Sequence, residues 1–285
     1  ENNFSILMDR NKINGQKTCT FSDGFLFYPV DSMNYVNADI FYNINQLDTP
    51  NINGGKIGIT KEVGFIRANI KAKSRGISTD LKKLLKIHNF IVLVPLAMVR
   101  SKTYIASNSE YFNCFIKKII ELAYNNPSDL FILKEKKIEL NEISDKLVEE
   151  IKIIDNIYII SVDKDYTDTK IVPHLSLYNH YEDLLGKADL VISFHFASTT
   201  VWQALSHKIP TICYNDSFEH SFLRKYKNLE VRKDELEESF NFWKNNDSVL
   251  FNQFLSDLDS QTNILGGDAL NKMLDDISDV AISNN

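Results

Sequence analysis

The sequence has 285 residues, of which 44% are hydrophobic and 25% are charged, so it has ample apolar material for a buried core. Its formal net charge of −6 disfavours nucleic acid as a partner, because nucleic-acid-binding proteins usually carry a basic excess. The longest apolar run, residues 90–99, is too short to span a membrane. Cys19, Cys114 and Cys213 lie far apart and match no metal-binding spacing, which favours reduced thiols in a cytoplasmic protein. We expect one large or two ordinary domains and no secretory signal.

The first 85 residues contain short apolar segments separated by Asn, Gly, Asp and Pro, a composition typical of short strands and loops. The segments are residues 4–8, 24–28 and 38–42. The glycine-rich stretch that begins at residue 54 predicts a connector over residues 54–87, and the basic run 71–76 is predicted to be solvated surface. We assign residues 1–85 to part of an N-terminal domain with its connector, and residues 86–285 to a second domain.

From residue 89 onward, strand-like and helix-like segments alternate along the chain. Short apolar runs predict strands at residues 90–95, 129–134, 156–160, 190–192 and 209–214. Apolar residues at helical spacing predict helices at residues 107–125, 141–152, 181–187, 234–245, 249–258 and 266–277. This alternation predicts an α/β domain with a doubly wound parallel sheet, as in Rossmann-like folds.

Residues 188–217, ADLVISFHFASTTVWQALSHKIPTICYNDS, predict a buried strand, a tight turn, a helix and a second strand. Ser198, Thr199 and Thr200 stand where the helix begins, which is the carboxyl edge of a parallel sheet and the usual place for a ligand. A helix start offers N–H groups and a positive dipole end, both of which favour an anion such as phosphate. The alternative is that these hydroxyls only cap the helix, and both interpretations stay open at this point.

Several common catalytic motifs are absent from the sequence. It has no Walker loop, no GxGxxG and no GxSxG elbow, which disfavours a P-loop ATPase, a dehydrogenase of the usual type and the common α/β-hydrolases. The six histidines include no HExxH spacing, and the run DKDYTD at residues 163–168 lacks the glycine and terminal glutamate of a calcium loop. We therefore predict no metal site.

The order of these features resembles the C-terminal half of a GT-B glycosyltransferase. The resemblance rests on LFILKEKK at 130–137, ADLVIS at 188–193, ASTT at 197–200, KIPTICYND at 208–216 and DA at 268–269. It is strongest to enzymes that build bacterial capsules, teichoic acids and surface glycans, including the CDP-glycerol glycerophosphotransferases and the Kdo transferases. It covers about residues 89–277 and implies a GT-B-like fold. A Rossmann-like C-terminal domain would bind the donor, preceded by part of a second α/β domain on the acceptor side.

The resemblance implies roles for the residues around the predicted helix start. Ser198, Thr199 and Thr200 match the hydroxyl pair that contacts the donor phosphate in this family, which agrees with the anion site predicted from the residues themselves. His195 lies in the same turn, where it would contact the phosphate or the acceptor. Packing between its two phenylalanine neighbours is the structural alternative for His195.

Other candidate residues follow the ends of two neighbouring strands. Glu135 and Lys136 stand where the family has a His-Pro signature near the donor nucleotide. With the histidine absent, Lys134 and Lys136 would supply positive charge to a phosphate, and Glu135 would serve the ribose or base. Asp216 and Glu219 follow the last strand of the motif, where a ribose hydroxyl would lie, although either is equally suited to capping a helix.

The function that the resemblance implies is transfer of a sugar or polyol phosphate from a nucleotide-activated donor to a glycan or lipid-linked acceptor. The nucleotide is then a substrate, and no cofactor is expected. Partners would include polysaccharide-assembly proteins and the inner membrane, contacted peripherally from the cytoplasm. No general base is assigned. Two alternatives stay open: a sugar-nucleotide epimerase of the same fold, and a catalytically silent module that binds a glycan or a partner protein.

Overall fold

The computed structural model describes residues 17–21, 38–44, 57–69, 79–96, 108–135, 139–160, 181–195, 199–216, 222–245 and 248–282. The strands in these ranges are β1 Cys19–Phe21, β2 Ala38–Asn43, β3 Ile57–Glu62, β4 Phe90–Leu96, β5 Asp129–Glu135, β6 Ile157–Ile160, β7 Leu190–Phe194, β8 Thr211–Tyr214 and β9 Glu230–Val231. The α-helices are α1 Thr79–Ile87, α2 Ser109–Asn125, α3 Asp145–Lys152, α4 Tyr181–Leu185, α5 Thr199–Ser206, α6 Leu236–Asn245, α7 Ser248–Thr262 and α8 Ala269–Ile282.

The chain divides into two compact units. Unit 1 comprises Glu1–Lys71 together with Leu255–Asn285, and unit 2 comprises Ala72–Phe254. This division differs from the predicted partition at residues 85 and 86 mainly at the C-terminal end, because α8 belongs to unit 1. The chain passes between the units inside α7, so one helix contributes residues to both.

Unit 1 contains a three-stranded parallel sheet in the order β1-β2-β3. Its apolar face packs against α8, where Ala269 and Met273 belong to the same apolar cluster as Ile40 and Tyr42 of β2. Asp276 of α8 accepts a hydrogen bond of 2.7 Å from the Tyr42 hydroxyl and forms an ion pair with Lys61 of β3. These contacts explain why the last helix joins the first strands, a pairing that no local pattern in the sequence indicates.

The segment predicted as a connector, residues 54–87, contains β3 and α1. Glycine-rich sequence usually indicates a loop. In the structure, Gly58 lies within β3, and a Cβ atom built on it would lie 2.6 Å from the Asp39 carbonyl oxygen. Gly58 therefore permits the backbones of β2 and β3 to approach closely, which is one role of glycine within a strand.

Unit 2 is built on a six-stranded parallel sheet in the order β6-β5-β4-β7-β8-β9. Numbered from its own first strand, this is the 3-2-1-4-5-6 order of dinucleotide-binding domains. The predicted doubly wound parallel sheet is confirmed, with Leu190–Phe194 paired on both sides in its centre. Predicted and observed ends of the strands and helices differ by a few residues, as expected for boundaries.

Helices cover both faces of this sheet. On one face, Leu81 of α1, Leu184 of α4 and Ala204 of α5 pack with Leu93 and Val191 of the central strands. On the other face, the ring of Phe115 of α2 lies 5.4 Å from that of Phe194 and 5.3 Å from that of Tyr214, and Phe240 of α6 stacks on Phe131 of β5. Burial on both faces explains the continuous apolar runs of β4, β5 and β7.

Across the described ranges, no helix combines the length and the apolar character needed to cross a bilayer.

Candidate functional site

The order of the strands in unit 2 places a topological switch point between β4 and β7. These two strands are neighbours, with Val92 opposite Leu190 and Leu93 opposite Val191. From this point the chain proceeds to β5 and β6 on one side and to β8 and β9 on the other. In open α/β sheets, ligands bind outside the carboxyl ends of the strands at such a switch point.

Two helices begin at this edge, and their first turns differ in charge. In α2, the Asn108 side chain already accepts a hydrogen bond of 2.8 Å from the Glu110 amide. Glu110 lies in the first turn, and the Ser109 hydroxyl donates to the Glu142 carboxylate at 2.6 Å. Two carboxylates near a helix start repel a bound anion. The beginning of α2 is therefore a poor phosphate site.

The beginning of α5 has the opposite character. The helix starts with Thr199 and Thr200, both half-buried, and its first turn contains no acidic residue. The Tyr181 hydroxyl of α4 donates a hydrogen bond of 3.0 Å to the Thr200 carbonyl, which fixes the first turn relative to α4. Helix N–H groups, a positive dipole end and hydroxyl groups are therefore presented at this edge without a competing carboxylate in the first turn.

His195 follows β7 directly and has an unusual backbone. Its φ of 66° lies in the left-handed region, which a residue other than glycine seldom adopts. The His195 amide donates to the Tyr214 carbonyl at 2.8 Å, and its carbonyl accepts from the Ser193 hydroxyl at 3.4 Å. Only 4% of His195 is exposed, and burial lowers its pKa to about 4. The imidazole is therefore neutral at pH 7 and brings no positive charge to the edge.

The end of β5 holds two more candidates. Lys134 is half-buried and its ammonium group donates to the Glu135 carbonyl oxygen at 2.9 Å. Glu135 is 2% exposed and lies opposite Leu96, the last residue of β4. Both residues thus stand beside the switch point.

The end of β8 combines a candidate residue with a pair that the sequence did not reveal. Asp216 is half-buried, and its carboxylate accepts from the Lys233 amide at 3.5 Å. Next to it, the buried Asn215 side chain donates to the buried Glu230 carboxylate at 2.8 Å. Asn215 and Glu230 are fifteen positions apart, and only the parallel pairing of β8 with β9 brings them together.

Tyr214, the last residue of β8, is another residue at this edge that the sequence does not single out. It is 1% exposed, and its hydroxyl group makes no hydrogen bond with another described residue. Burial, together with the nearby Asp216 carboxylate, raises the pKa of Tyr214, so the hydroxyl stays protonated at neutral pH. Its sequence signal was that of an ordinary apolar strand residue.

The structure therefore brings six predicted residues to the same edge of the sheet: Lys134, Glu135, His195, Thr199, Thr200 and Asp216. Lys136, Ser198 and Glu219 lie outside the described residues. The binding roles of all nine stay predictions. Among the residues that the structure describes, no group of three or more His, Cys, Asp or Glu side chains is arranged to hold a metal ion.

No protein-family model matches the sequence, and no curated protein is significantly similar to it. Solved structures are similar in fold. A Listeria monocytogenes protein assigned as a UDP-N-acetylglucosamine 2-epimerase has a TM-score of 0.61 at 14% identity, over 96% of this chain and 71% of that protein. MnaA of S. aureus, solved with UDP, has a TM-score of 0.50 at 10% identity, over 89% of this chain and 70% of that protein.

A trehalose 6-phosphate synthase from Burkholderia multivorans has a TM-score of 0.47 at 9% identity, over 87% of this chain and 61% of that protein. At these identities, the comparisons with the Listeria protein and with MnaA establish the fold alone. The narrower resemblance to the CDP-glycerol glycerophosphotransferases and Kdo transferases stays a prediction. The chain has the predicted GT-B-like α/β fold, with a Rossmann-like parallel sheet in unit 2.

Proposed function

We propose that the protein is a glycosyltransferase that binds a nucleotide-activated sugar, or polyol phosphate, at the carboxyl edge of the unit 2 sheet. The observation behind this proposal is the contrast between the two helix starts at the switch point. Two carboxylates, those of Glu110 and Glu142, lie at the beginning of α2, whereas the first turn of α5 contains no acidic residue. A diphosphate at this edge would therefore bind at α5.

Transfer of a sugar from such a donor leaves negative charge on the departing nucleotide phosphate. The N–H groups and dipole of α5, together with the threonine hydroxyls, would stabilise that charge as it develops. Such groups need little reorganisation during the reaction because the helix is already folded. Holding donor and acceptor together would supply the remainder of the rate enhancement. His195 contributes no charge, since burial lowers its pKa to about 4.

A sugar-nucleotide epimerase of the same fold is the second candidate. The Listeria protein with a TM-score of 0.61 is assigned to that activity. The sequence resemblance at residues 188–216 favours a transferase instead. An epimerase needs groups that remove and return a proton. Glu135 and Asp216 are carboxylates at the carboxyl edge of the sheet, where such groups would act.

The acceptor, the assembly partners and a peripheral position at the inner membrane belong to the same proposal. A glycan or lipid-linked acceptor would follow from surface polysaccharide synthesis, as the sequence resemblance implies. Co-sedimentation with inner-membrane vesicles, compared with binding to a soluble glycan fragment, distinguishes a lipid-linked acceptor from a soluble one.

Calorimetric titration with UDP, CDP and CMP tests the first step. We expect one nucleotide to bind selectively, and failure of all three to bind would favour a catalytically silent module. Incubation with the matching donor, labelled in the sugar, then separates the two enzymes. Label appearing on an added acceptor with release of nucleotide indicates a transferase. An inverted sugar carbon with the nucleotide still attached indicates an epimerase and would contradict the main proposal.

A further inference from the structure

A groove of about 580 Å³ lies on the outer surface of α2, in unit 2. Residues of α2 line it together with residues at and just after the end of α3 and residues just before and at the start of α6. Nearly buried side chains, including Ile120, Ile154 and Leu236, form its apolar floor. None of the residues proposed to bind the nucleotide lines this groove, so it is a separate feature of the molecule.

Two large apolar side chains stand exposed at this groove. Tyr124, in the last turn of α2, is 76% exposed, and Ile153, directly after α3, is 81% exposed. Both line the groove beside its apolar floor. Single exposed apolar residues are common, but two of them next to a concave apolar surface are typical of a binding site.

The groove is also acidic. It is lined by four carboxylates, those of Glu121, Glu150, Asp234 and Glu237, and by two lysines, so its formal charge is −2. Lys118 is already paired with Glu121 at 2.7 Å. Glu150, Asp234 and Glu237 form no ion pair with another described residue. A ligand that fits must therefore bring apolar surface and positive charge together.

We propose that this groove binds a basic amphipathic helix of a partner protein. Apolar side chains on one face of that helix would cover Tyr124 and Ile153, and Lys or Arg residues at its margins would face the three carboxylates. A helix is favoured over an extended peptide because helices form the groove and no sheet edge lines it for strand addition. An anionic membrane surface is disfavoured because the carboxylates would repel it.

A second copy of this chain is a less suitable occupant. The helix α1 does offer exposed Lys82, Lys83 and Lys86 beside Ile87, which is 71% exposed. However, α1 packs on the face of the sheet opposite to α2. Mutual docking of two such chains is therefore head-to-tail and leads to rings or open-ended filaments rather than a closed two-fold dimer.

The experiment uses two fluorescent peptides of about 18 residues, long enough to be helical. One has Leu at helical spacing with Lys at the remaining positions, and its twin has Glu in place of each Lys. By fluorescence anisotropy, we expect the full chain to bind the lysine peptide and not the glutamate peptide. Binding should weaken as salt is raised, because the charges are near the surface. Failure of the lysine peptide to bind would overturn the proposal.

Matched variants locate the binding site. The groove variant combines Glu150→Gln, Asp234→Asn, Glu237→Gln and Ile153→Ser. The control variant combines Asp268→Asn, Asp275→Asn and Asp279→Asn, which removes the same charge from unit 1. We expect affinity for the lysine peptide to fall at least about tenfold in the groove variant and to stay near that of the parent in the control. Equal losses in both variants would indicate non-specific attraction and contradict the proposal.

Sedimentation velocity of the chain alone tests the other occupant. We expect the parent and the variant Lys82→Glu/Lys83→Glu/Lys86→Glu to sediment alike. An assembly that dissociates in this variant would show that α1 of a second copy occupies the groove, and the partner helix would then be rejected. The outcome is independent of nucleotide binding, because the groove does not include the residues proposed for that site.

Discussion

We predict that individual hydroxyl groups at the beginning of α5 have separable roles in capping the helix and in binding phosphate. Capping a helix needs one hydroxyl, and its loss costs about 1 kcal/mol of stability. A hydrogen bond to a charged phosphate is worth about 1.5–3 kcal/mol, so removing one should weaken nucleotide binding by about tenfold to a hundredfold. We expect this loss of nucleotide affinity in Thr199→Val or Thr200→Val, with a nearly constant melting temperature. Ser198→Ala is the third variant, so that each of the three hydroxyl groups is tested.

Calorimetry with the nucleotide that binds, combined with thermal melting, checks this prediction. Thr60→Val is the matched control, since Thr60 is exposed on β3 in unit 1 and should leave affinity unchanged. If all three variants at α5 bind like the parent and one merely melts earlier, the hydroxyls only cap the helix.

His195 makes stability depend on pH. Burial lowers its pKa from 6.5 to about 4, so the unfolded chain takes up a proton on this residue at a higher pH than the folded chain does. The contribution of neutral His195 to the free energy of unfolding is therefore fully present above pH 6.5. It decreases by about 3 kcal/mol in total as the pH falls towards 4.

Replacing His195 tests this linkage. Asparagine tolerates the left-handed backbone and does not titrate, so His195→Asn should show a smaller loss of stability between pH 7 and pH 4. Urea unfolding of parent and variant across that range measures the difference. Parallel curves for the two proteins would contradict the assigned pKa and its cause.

Among the secondary-structure elements, β3 depends on a glycine for its close approach to β2. A Cβ atom at position 58 would lie 2.6 Å from the Asp39 carbonyl oxygen, and backbone cannot move as freely as a side-chain end. Gly58→Ala should therefore destabilise the protein by about 1–3 kcal/mol in urea unfolding. Gly186→Ala is the control, because its nearest atom would lie at 3.8 Å, and it should stay within about 0.5 kcal/mol of the parent.

The helix α6 is tied to the start of β5 by a partly buried ion pair. The Lys244 ammonium lies 2.6 Å from the carboxylate of Asp129, whose side chain is 1% exposed, and also donates to Asn126 at 3.1 Å. Lys244→Met would leave that carboxylate buried without its cation, at a cost of about 2–4 kcal/mol. The control Lys152→Met breaks an exposed pair with Glu149 and should cost under about 1 kcal/mol by urea unfolding.

At the scale of the whole molecule, the C-terminal helix stabilises strands from the beginning of the chain. Asp276 of α8 accepts hydrogen bonds from Tyr42 and Lys61, and the bond from Lys61 lowers the pKa of Asp276 below its ordinary value. In Asp276→Ala, amide exchange of β2 and α8 should therefore become faster, while β4 and β7 keep their protection. Asp275→Ala, next to it and exposed, should change neither set. Faster exchange throughout would show that the two units open together.

Much of unit 2 is predictable from the sequence because its signals are local. The apolar runs at Phe90–Leu96 and Leu190–Phe194 and the helical spacing in Ser109–Asn125 depend only on neighbouring residues, and all three elements were predicted to within a few residues. The helix start at Thr199 was predicted from the same kind of signal. Six of the nine candidate residues lie at the predicted edge of the sheet. All strands of a parallel sheet end at the same edge, so residues at or just after the strand ends must lie there.

The sequence by itself determined the alternation of strands and helices, the parallel sheet and the edge at which the candidate residues stand. Tertiary structure alone decided the order β6-β5-β4-β7-β8-β9, the Asn215–Glu230 pair, the docking of α8 on β2 and the acidic groove on α2. These features join residues that are distant along the chain. Their stability comes from burial and pairing across the fold, and periodicity within one segment contains no information about which other segment it will contact.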